Sequence, residues 1–116
     1  MEETLFQDEE KVVQVSMNII IESGNARNSV KNALDRISEF DFDGARNQMQ
    51  EAHDHISKAH NSQTEMIQAE ISGTSKFQPS LLFNHAQDTL MTVMSEINLT
   101  DKMIMVFEKF YNQMGK

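Results

Sequence analysis

A histidine and an aspartate, His85 and Asp88, stand three positions apart in the apolar segment FNHAQDTLM at 83–91. On a helix this spacing places the two side chains on one face. A neutral imidazole nitrogen is a competent nucleophile near neutral pH, and a phosphoryl group bound to it is readily passed on. The pair therefore supports two interpretations: a structural hydrogen bond between two satisfied side chains, or a histidine that carries a phosphoryl group.

The three other histidines are weaker candidates for chemistry. His53 and His55 lie two residues apart, so they point to different sides of a helix and cannot share one metal ion. We expect both to be ordinary surface residues, and we expect His60 to pack or to cap a helix. The sequence contains neither Glu-x-x-His nor His-Glu-x-x-His, which argues against di-iron bundles and zinc peptidases.

Composition excludes further classes of function. The absence of cysteine excludes disulfides, thiolate catalysis and cysteine-ligated metals. The formal net charge of −8, with scattered basic residues, argues against nucleic-acid binding. The acidic start MEETLFQDEE has no signal-peptide pattern, and no apolar run approaches the ~20 residues that span a bilayer. We expect a cytoplasmic protein without membrane insertion.

Three long helices are expected to position these side chains. The apolar periodicity predicts helices at about 4–39, from 42 to the break SGTSKFQPS, and at about 80–114. Asp41 or Asp43 is a suitable N-cap for the second helix, Gly73 a suitable stop, and Pro79 suits the first turn of the third. The prediction is an all-α, antiparallel three-helix bundle forming a single domain over residues 1–116.

Each helix carries an apolar stripe that is predicted to form the core. In the first helix a glycine falls on the stripe, where we expect a kink or a close helix contact. The stripes are Val13, Met17, Ile20, Gly24, Ala26, Val30, Ala33 and Ile37; then Phe42, Ala45, Met49, Ala52, Ile56, Ala59, Gln63, Met66 and Glu70; then Leu82, Ala86, Leu90, Val93 and Ile97. Gln63 and Glu70 are the polar exceptions in the second stripe. We expect the segment NLTD at 98–101 to bend the third helix before its apolar pattern continues with Met103, Val106, Phe107, Phe110 and Tyr111.

A second stripe of the third helix is polar in its middle. It consists of Leu81, His85, Asp88, Thr92 and Ser95, spaced by alternating steps of four and three. Apolar residues also lie off the core stripe, among them Leu81, Met91 and Met94. Because apolar surface left over by a small bundle usually mediates association, we expect an oligomer.

Four motifs, in this order and spacing, resemble those of a known family. They are SGNAR at 23–27, AHNSQT at 59–64, QAEISG at 68–73 and HAQDTLM at 85–91. Together they resemble the IIA component of the lactose/cellobiose (chitobiose) family of the bacterial phosphoenolpyruvate-dependent sugar phosphotransferase system. The resemblance covers nearly the whole chain. The family usually has histidine at the position of Thr89, and RISEFDFDGAR replaces its Ala-rich turn between the first two helices.

The resemblance implies a cytoplasmic phosphoryl carrier that assembles as a homotrimer, a nine-helix bundle. It implies that His85 accepts the phosphoryl group from the histidine-containing phosphocarrier protein. The group then passes to a cysteine of the IIB component, for uptake and phosphorylation of a lactose- or cellobiose-type disaccharide by the membrane component IIC. It also implies that three copies of Asp88 share one metal ion on the trimer axis.

Physical chemistry makes such an axial ion intelligible. Three carboxylates in a poorly solvated place repel one another unless a cation neutralises them. Oxygen-only ligation favours a hard ion such as Mg²⁺, so we expect a structural Mg²⁺ at Asp88.

Two other functions remain open from the residues alone. One is a histidine phosphotransfer domain of a signalling system, which is also helical and exposes a histidine. The other is a helical adaptor in which His85 is merely a satisfied side chain. Phosphorylation of His85 and an ion at Asp88 would separate the carrier from both alternatives.

Overall fold

The computed structural model describes residues 2–73 and 80–115, with side chains from residue 9 onward in those ranges. Three helices account for almost all of this: α1 (Glu2–Ser38), α2 (Phe42–Ser72) and α3 (Leu81–Met114). No strand occurs in the described residues. The predicted all-α bundle of three helices is confirmed. No helix in those ranges is both long enough and apolar enough to cross a membrane.

Cross-helix hydrogen bonds fix the direction of the helices. Between α1 and α2, Asn18 bonds Ser62 and Asn32 bonds Gln48, so residue numbers rise along one helix as they fall along the other. The same holds between α2 and α3. Consequently α1 and α3 run parallel, and the bundle is a rod of 70 × 20 × 19 Å. The start of α3, with His85, lies at the end opposite the α1–α2 turn.

Local sequence explains where the helices begin and end. Oδ1 of Asp41 accepts a hydrogen bond from the backbone N–H of Gly44 at 2.9 Å, so Asp41, and not Asp43, is the N-cap of α2. Gly73 ends α2 in the left-handed conformation, with φ 76°. Ser80 caps α3 by accepting from the N–H of Phe83 at 3.0 Å. The expectation for Pro79 lies outside the described residues.

The predicted core of α2 is confirmed at eight of its nine positions. All but Glu70 are buried, as listed: Phe42, Ala45, Met49, Ala52, Ile56, Ala59, Gln63 and Met66. Glu70, one of the two polar exceptions in the stripe, is exposed, so the buried face ends before it. It lies in the last turn of α2, where a charged side chain readily reaches water.

The predicted core of α1 was wrong in its first half. Val13 and Met17 are exposed, and the buried stripe runs one residue earlier. Its members are Val12, Ser16, Ile19, Ser23, Ala26, Val30, Ala33 and Ile37. Because Ser16 and Ser23 are polar, this stripe does not stand out as apolar in the sequence. The apolar residues beside it, Val13 and Met17, face outward. The helix is unbroken at Gly24, and no described residue of another helix lies within 4 Å of where its Cβ would be, so the expected close helix contact is not found within this chain.

The predicted core of α3 is confirmed in its middle but not at its ends: the apolar residues expected to continue it, Val106, Phe107, Phe110 and Tyr111, are exposed. Ala86, Leu90, Val93 and Ile97 are buried, and the stripe continues to Thr100 and Ile104. Phe83 rather than Leu82 is the first buried residue. The helix continues without interruption through 98–101, so the expected bend at NLTD does not break it. Thr100 donates its hydroxyl proton to the carbonyl of Glu96, which satisfies it inside the helix.

Candidate functional site

His85 lies on the outward face of α3, in its second turn. Its neighbours Phe83 and Ala86 are buried and anchor the helix to the core, while the His85 side chain is exposed. Among the described residues, none hydrogen-bonds or ion-pairs with the imidazole ring. The ring is therefore exposed and unpartnered within the described chain, as attack on an incoming phosphorus atom requires.

Asp88 lies one turn after His85 on the same outward face and is also exposed. No hydrogen bond or ion pair joins the two side chains, so the interpretation of the pair as a structural hydrogen bond is not supported. The second stripe of α3 faces solvent, which the sequence had not predicted: the exposed residues are Leu81, His85, Asp88, Thr92 and Ser95.

Two threonine hydroxyls near the site are used by the helix itself. Thr89 donates to the carbonyl oxygen of His85 at 2.9 Å, and Thr92 donates to that of Asp88 at 2.8 Å. These bonds satisfy both hydroxyl protons within α3. Thr89 thus has no proton available for the imidazole of His85, in contrast to the histidine that the family usually has there.

Gln87 faces the opposite side of α3 from His85, because residues two apart on a helix diverge. Its Oε1 accepts a hydrogen bond from Nε2 of Gln63 at 3.1 Å. Gln63 is a buried member of the α2 core stripe. The bond therefore ties α2 to α3 at the level of the candidate site. Gln63 is recognisable in the sequence as a polar exception in the stripe, but its partner is not.

His53 and His55 each bridge α2 to another helix. Nε2 of His53 lies 2.8 Å from a carboxylate oxygen of Asp101 in α3, and Nδ1 of His55 lies 2.7 Å from one of Glu22 in α1. His53 is exposed, as expected for a surface residue. Neither of the two bridges was predicted. His55 is only half-exposed.

His60 is exposed in the middle of α2, so the expectation that it packs or caps a helix was wrong. Its ring, like that of His85, has no hydrogen-bond partner among the described residues. What separates the two is their surroundings: His85 has a free carboxylate one turn away on its own face. His60 is accordingly the natural internal control for any assay of His85.

Arg27, in the segment SGNAR, connects α1 to Glu96 of α3, on the C-terminal side of His85. Its guanidinium donates two hydrogen bonds to Glu96, at 2.9 and 3.0 Å. The hydrogen bond to Glu96 raises the pKa of Arg27, against a smaller opposing effect of burial. This pair of hydrogen bonds, which we call the Arg27–Glu96 fork, fixes the register of the two parallel helices. The motif alone does not predict this role of the arginine, because the partner lies on another helix.

The carboxylate of Asp88 suits a hard cation but cannot hold one alone. It makes no hydrogen bond or ion pair within the described chain, so its oxygens are free to ligate. In those same residues no three His, Cys, Asp or Glu side chains come close enough to form a metal site. A magnesium ion prefers six oxygen ligands, so the other ligands must be water or residues of further copies.

Comparison with known proteins gives a consistent result. The protein-family model described as PTS system, Lactose/Cellobiose specific IIA subunit, matches residues 14–108 of this chain. The chain is 38% identical over 106 residues to the lichenan-specific phosphotransferase enzyme IIA component of Bacillus subtilis, covering 91% of this chain and 96% of that protein.

Two solved structures are similar over most of their length. The cellobiose-specific enzyme IIA from Bacillus anthracis superimposes with a TM-score of 0.81 at 34% identity, covering 87% of this chain and 92% of that one. The IIA(chitobiose) chain in its complex with HPr, from the N,N'-diacetylchitobiose branch of the Escherichia coli phosphotransferase system, gives 0.74 at 33% identity. It covers 86% of this chain and 96% of that one.

Proposed function

This chain belongs to the lactose/cellobiose-specific IIA family of the phosphotransferase system, and on that premise we propose that His85 is the residue that carries its phosphoryl group. Proteins of this family pass phosphate between components of the system. The donor is HPr, the histidine-containing phosphocarrier protein, with which a similar IIA protein has been solved in complex. The sequence resemblance and the position of His85 both support the assignment.

The observation that carries the proposal is the exposed, unpartnered imidazole of His85 on a rigid helix. An unprotonated ring nitrogen attacks the phosphorus of the donor's phosphohistidine. A new P–N bond forms at His85 as the donor's P–N bond breaks, and the donor ring leaves as neutral imidazole. The second ring nitrogen of His85 keeps its proton, so the exchange moves no net proton.

The second transfer runs from His85 to a cysteine thiolate of the IIB component. The P–N bond at His85 breaks and a P–S bond forms, which restores the neutral imidazole. IIB then serves the membrane component IIC, which takes up and phosphorylates the sugar. We propose a lactose- or cellobiose-type disaccharide as that sugar. The relay works on the cytoplasmic side of the membrane, and no residue of this chain has to bind the sugar.

The proposal includes a homotrimer in which three copies of Asp88 surround one Mg²⁺. Two features of one chain support it: the carboxylate of Asp88 is free, and exposed apolar residues flank it, among them Leu81 and Met91. When bound, the ion would neutralise the mutual repulsion of the three carboxylates. Its role is structural, and the phosphoryl transfer does not pass through it.

Family membership favours the carrier over both alternatives raised by the sequence. A signalling phosphotransfer domain would share the histidine but not the IIA fold family, and an adaptor would need no accessible ring. To test the carrier, the chain is incubated with phosphoenolpyruvate, the two general upstream proteins and IIB, and phosphorylation of the IIB cysteine is followed. His85→Asn should abolish it, whereas the matched variant His60→Asn should not. Equal activity of the two variants would refute the assignment.

A further inference from the structure

The first half of α1 carries a row of apolar side chains that the core does not use. Val13, Met17 and Ile21 follow one another at intervals of one helical turn, and each is between 43% and 55% exposed. We call these three residues the α1 ridge. A contiguous row of large apolar side chains on a helix surface commonly marks a contact with another protein.

Cross-helix hydrogen bonds place the α1 ridge level with His85. Asn18 of α1 and Gln87 of α3 bond adjacent residues of α2, so these two side chains lie at the same height in the bundle. The helices α1 and α3 run parallel and rise equally, by about 1.5 Å per residue. Met17, which precedes Asn18, is therefore level with the turn of α3 that carries His85.

Helix geometry also turns the ridge toward the groove between α1 and α3. Arg27 faces α3, since it bonds Glu96. A rotation of about 100° per residue puts Val13 within about 40° of the direction of Arg27, and Met17 within about 80°. On α3 the same rotation puts His85 within about 20° of Glu96. Val13, Met17 and His85 therefore border one groove.

The surface around this groove is acidic. In the described residues of α3, no Lys or Arg precedes Lys102. The described side chains of α1 before Arg27 include three glutamates and one lysine, namely Glu9, Glu10, Glu22 and Lys11. A protein that binds over His85 therefore fits best with an apolar centre and basic groups around it.

The transfer reaction itself indicates which molecule covers this surface. The phosphohistidine of the donor must reach His85 in line with the bond that breaks, so the donor protein covers the imidazole during transfer. A protein contact of ordinary size covers about 800 Å² on each partner, a patch of roughly 16 Å radius. Since neighbouring helices pack about 8–10 Å apart, a patch centred on His85 includes Val13 and Met17.

We infer that the α1 ridge is an apolar docking contact for HPr, with Met17 at its centre. The inference rests on the proposed function, because it takes His85 as the acceptor and HPr as the donor of the phosphoryl group. Methionine suits a transient contact, because its unbranched side chain adapts to the surface of a partner. The ridge binds the donor, and the chemistry stays with His85.

The test compares Met17→Glu with the matched variant Met105→Glu. The two methionines are 43% and 44% exposed, and Met105 lies about 30 Å from His85 along α3. Transfer from phosphorylated HPr to His85 is followed by rapid quench over a series of HPr concentrations. This separates the half-saturating concentration of HPr from the maximal rate. Val13→Glu is a second variant of the ridge, and circular dichroism and sedimentation compare the fold and assembly of every variant.

Met17→Glu should raise the half-saturating concentration of HPr by about tenfold or more, with a maximal rate within about twofold of the wild type. Val13→Glu should act in the same direction, and Met105→Glu should behave like the wild type.

Three results would overturn the inference and leave His85 as the phosphoryl carrier. The first is an unchanged half-saturating concentration in both ridge variants, and the second is a loss of maximal rate alone. The third is a change in sedimentation of the ridge variants, which would assign the ridge to a contact between copies of this chain. A wild type that HPr does not phosphorylate would overturn the proposed function together with this inference.

Discussion

Nε2 of the buried Gln63 lies 3.1 Å from Oε1 of Gln87 and donates a hydrogen bond to it, joining α2 to α3 two residues beyond His85. Because Gln87 faces α2, it is directed away from the imidazole of its own chain. The pair therefore supports the helix that carries His85 and does not take part in the chemistry of that side chain.

We expect Gln87→Ala to lower the free energy of unfolding by about 1–3 kcal/mol, since it strands the buried amide of Gln63 without a partner. Urea denaturation measures the loss. Acceptance of phosphate by His85 should persist at temperatures well below unfolding. In the double variant Gln63→Met, Gln87→Ala the stranded amide is gone, so part of the stability should return. An equal or larger loss in the double variant would contradict this account.

The hydroxyl groups of Ser16 and Ser23 offer a second test, because they are buried in α1 with no hydrogen-bond partner in the part of the chain that the structure describes. A buried unpaired hydroxyl is unfavourable, and alanine also favours the helix. We expect Ser16→Ala to raise the free energy of unfolding by about 1 kcal/mol or more. The control is Ser57→Ala on the exposed face of α2, where helix propensity alone should contribute roughly 0.5 kcal/mol. No difference between the two would show that Ser16 is satisfied in solution.

The Arg27–Glu96 fork predicts a salt-sensitive contribution to stability. Both side chains are more than one-third exposed, so we expect Arg27→Ala to cost only about 1 kcal/mol. Arg27→Lys should recover less than half of this, because an ammonium group cannot reproduce two parallel hydrogen bonds. Thermal unfolding at low and high salt is the measurement, with Lys58→Ala as a control for loss of one exposed charge. An effect of Arg27→Ala that does not shrink in 1 M salt would argue that packing of the side chain, and not its charge, stabilises the bundle.

The proposed ion makes a separate prediction at Asp88. Removing Mg²⁺ with EDTA should weaken assembly of the wild type by about tenfold or more, because three carboxylates then repel one another. Asp88→Asn removes that repulsion, so its assembly should no longer respond to Mg²⁺ or EDTA, and His85 should still accept phosphate. Asp35→Asn, an exposed site in α1, should retain the wild-type response. A Mg²⁺ response in Asp88→Asn that equals the wild type would place the ion elsewhere.

Sequence periodicity predicted the three helices and most of the core, because steps of three and four residues directly encode a buried face. It failed in the first half of α1. There Ser16 and Ser23 occupy buried positions, and the exposed residues Val13 and Met17 have the spacing expected of a core stripe. Buried serines carry no hydrophobic signal. Exposed apolar side chains cannot be distinguished from core side chains by residue type alone.

The candidate site was predictable in part. The spacing of His85 and Asp88 predicted that they share one face of α3, but the residues alone left open whether His85 was a satisfied structural side chain or an exposed one. The partners of Gln63, His53 and His55 were not predictable, because each lies on another helix and depends on the relative rotation of two helices. That rotation is set by the packing of the whole bundle.

The position of the phosphate on the chain tests the central claim most directly. After incubation with phosphoenolpyruvate and the two upstream proteins, the chain is cleaved under alkaline conditions that preserve phosphohistidine, and its peptides are sequenced by mass spectrometry. We expect one phosphate per chain, on His85, and none in His85→Ala. Phosphate on His53, His55 or His60, or undiminished labelling of His85→Ala, would contradict the account.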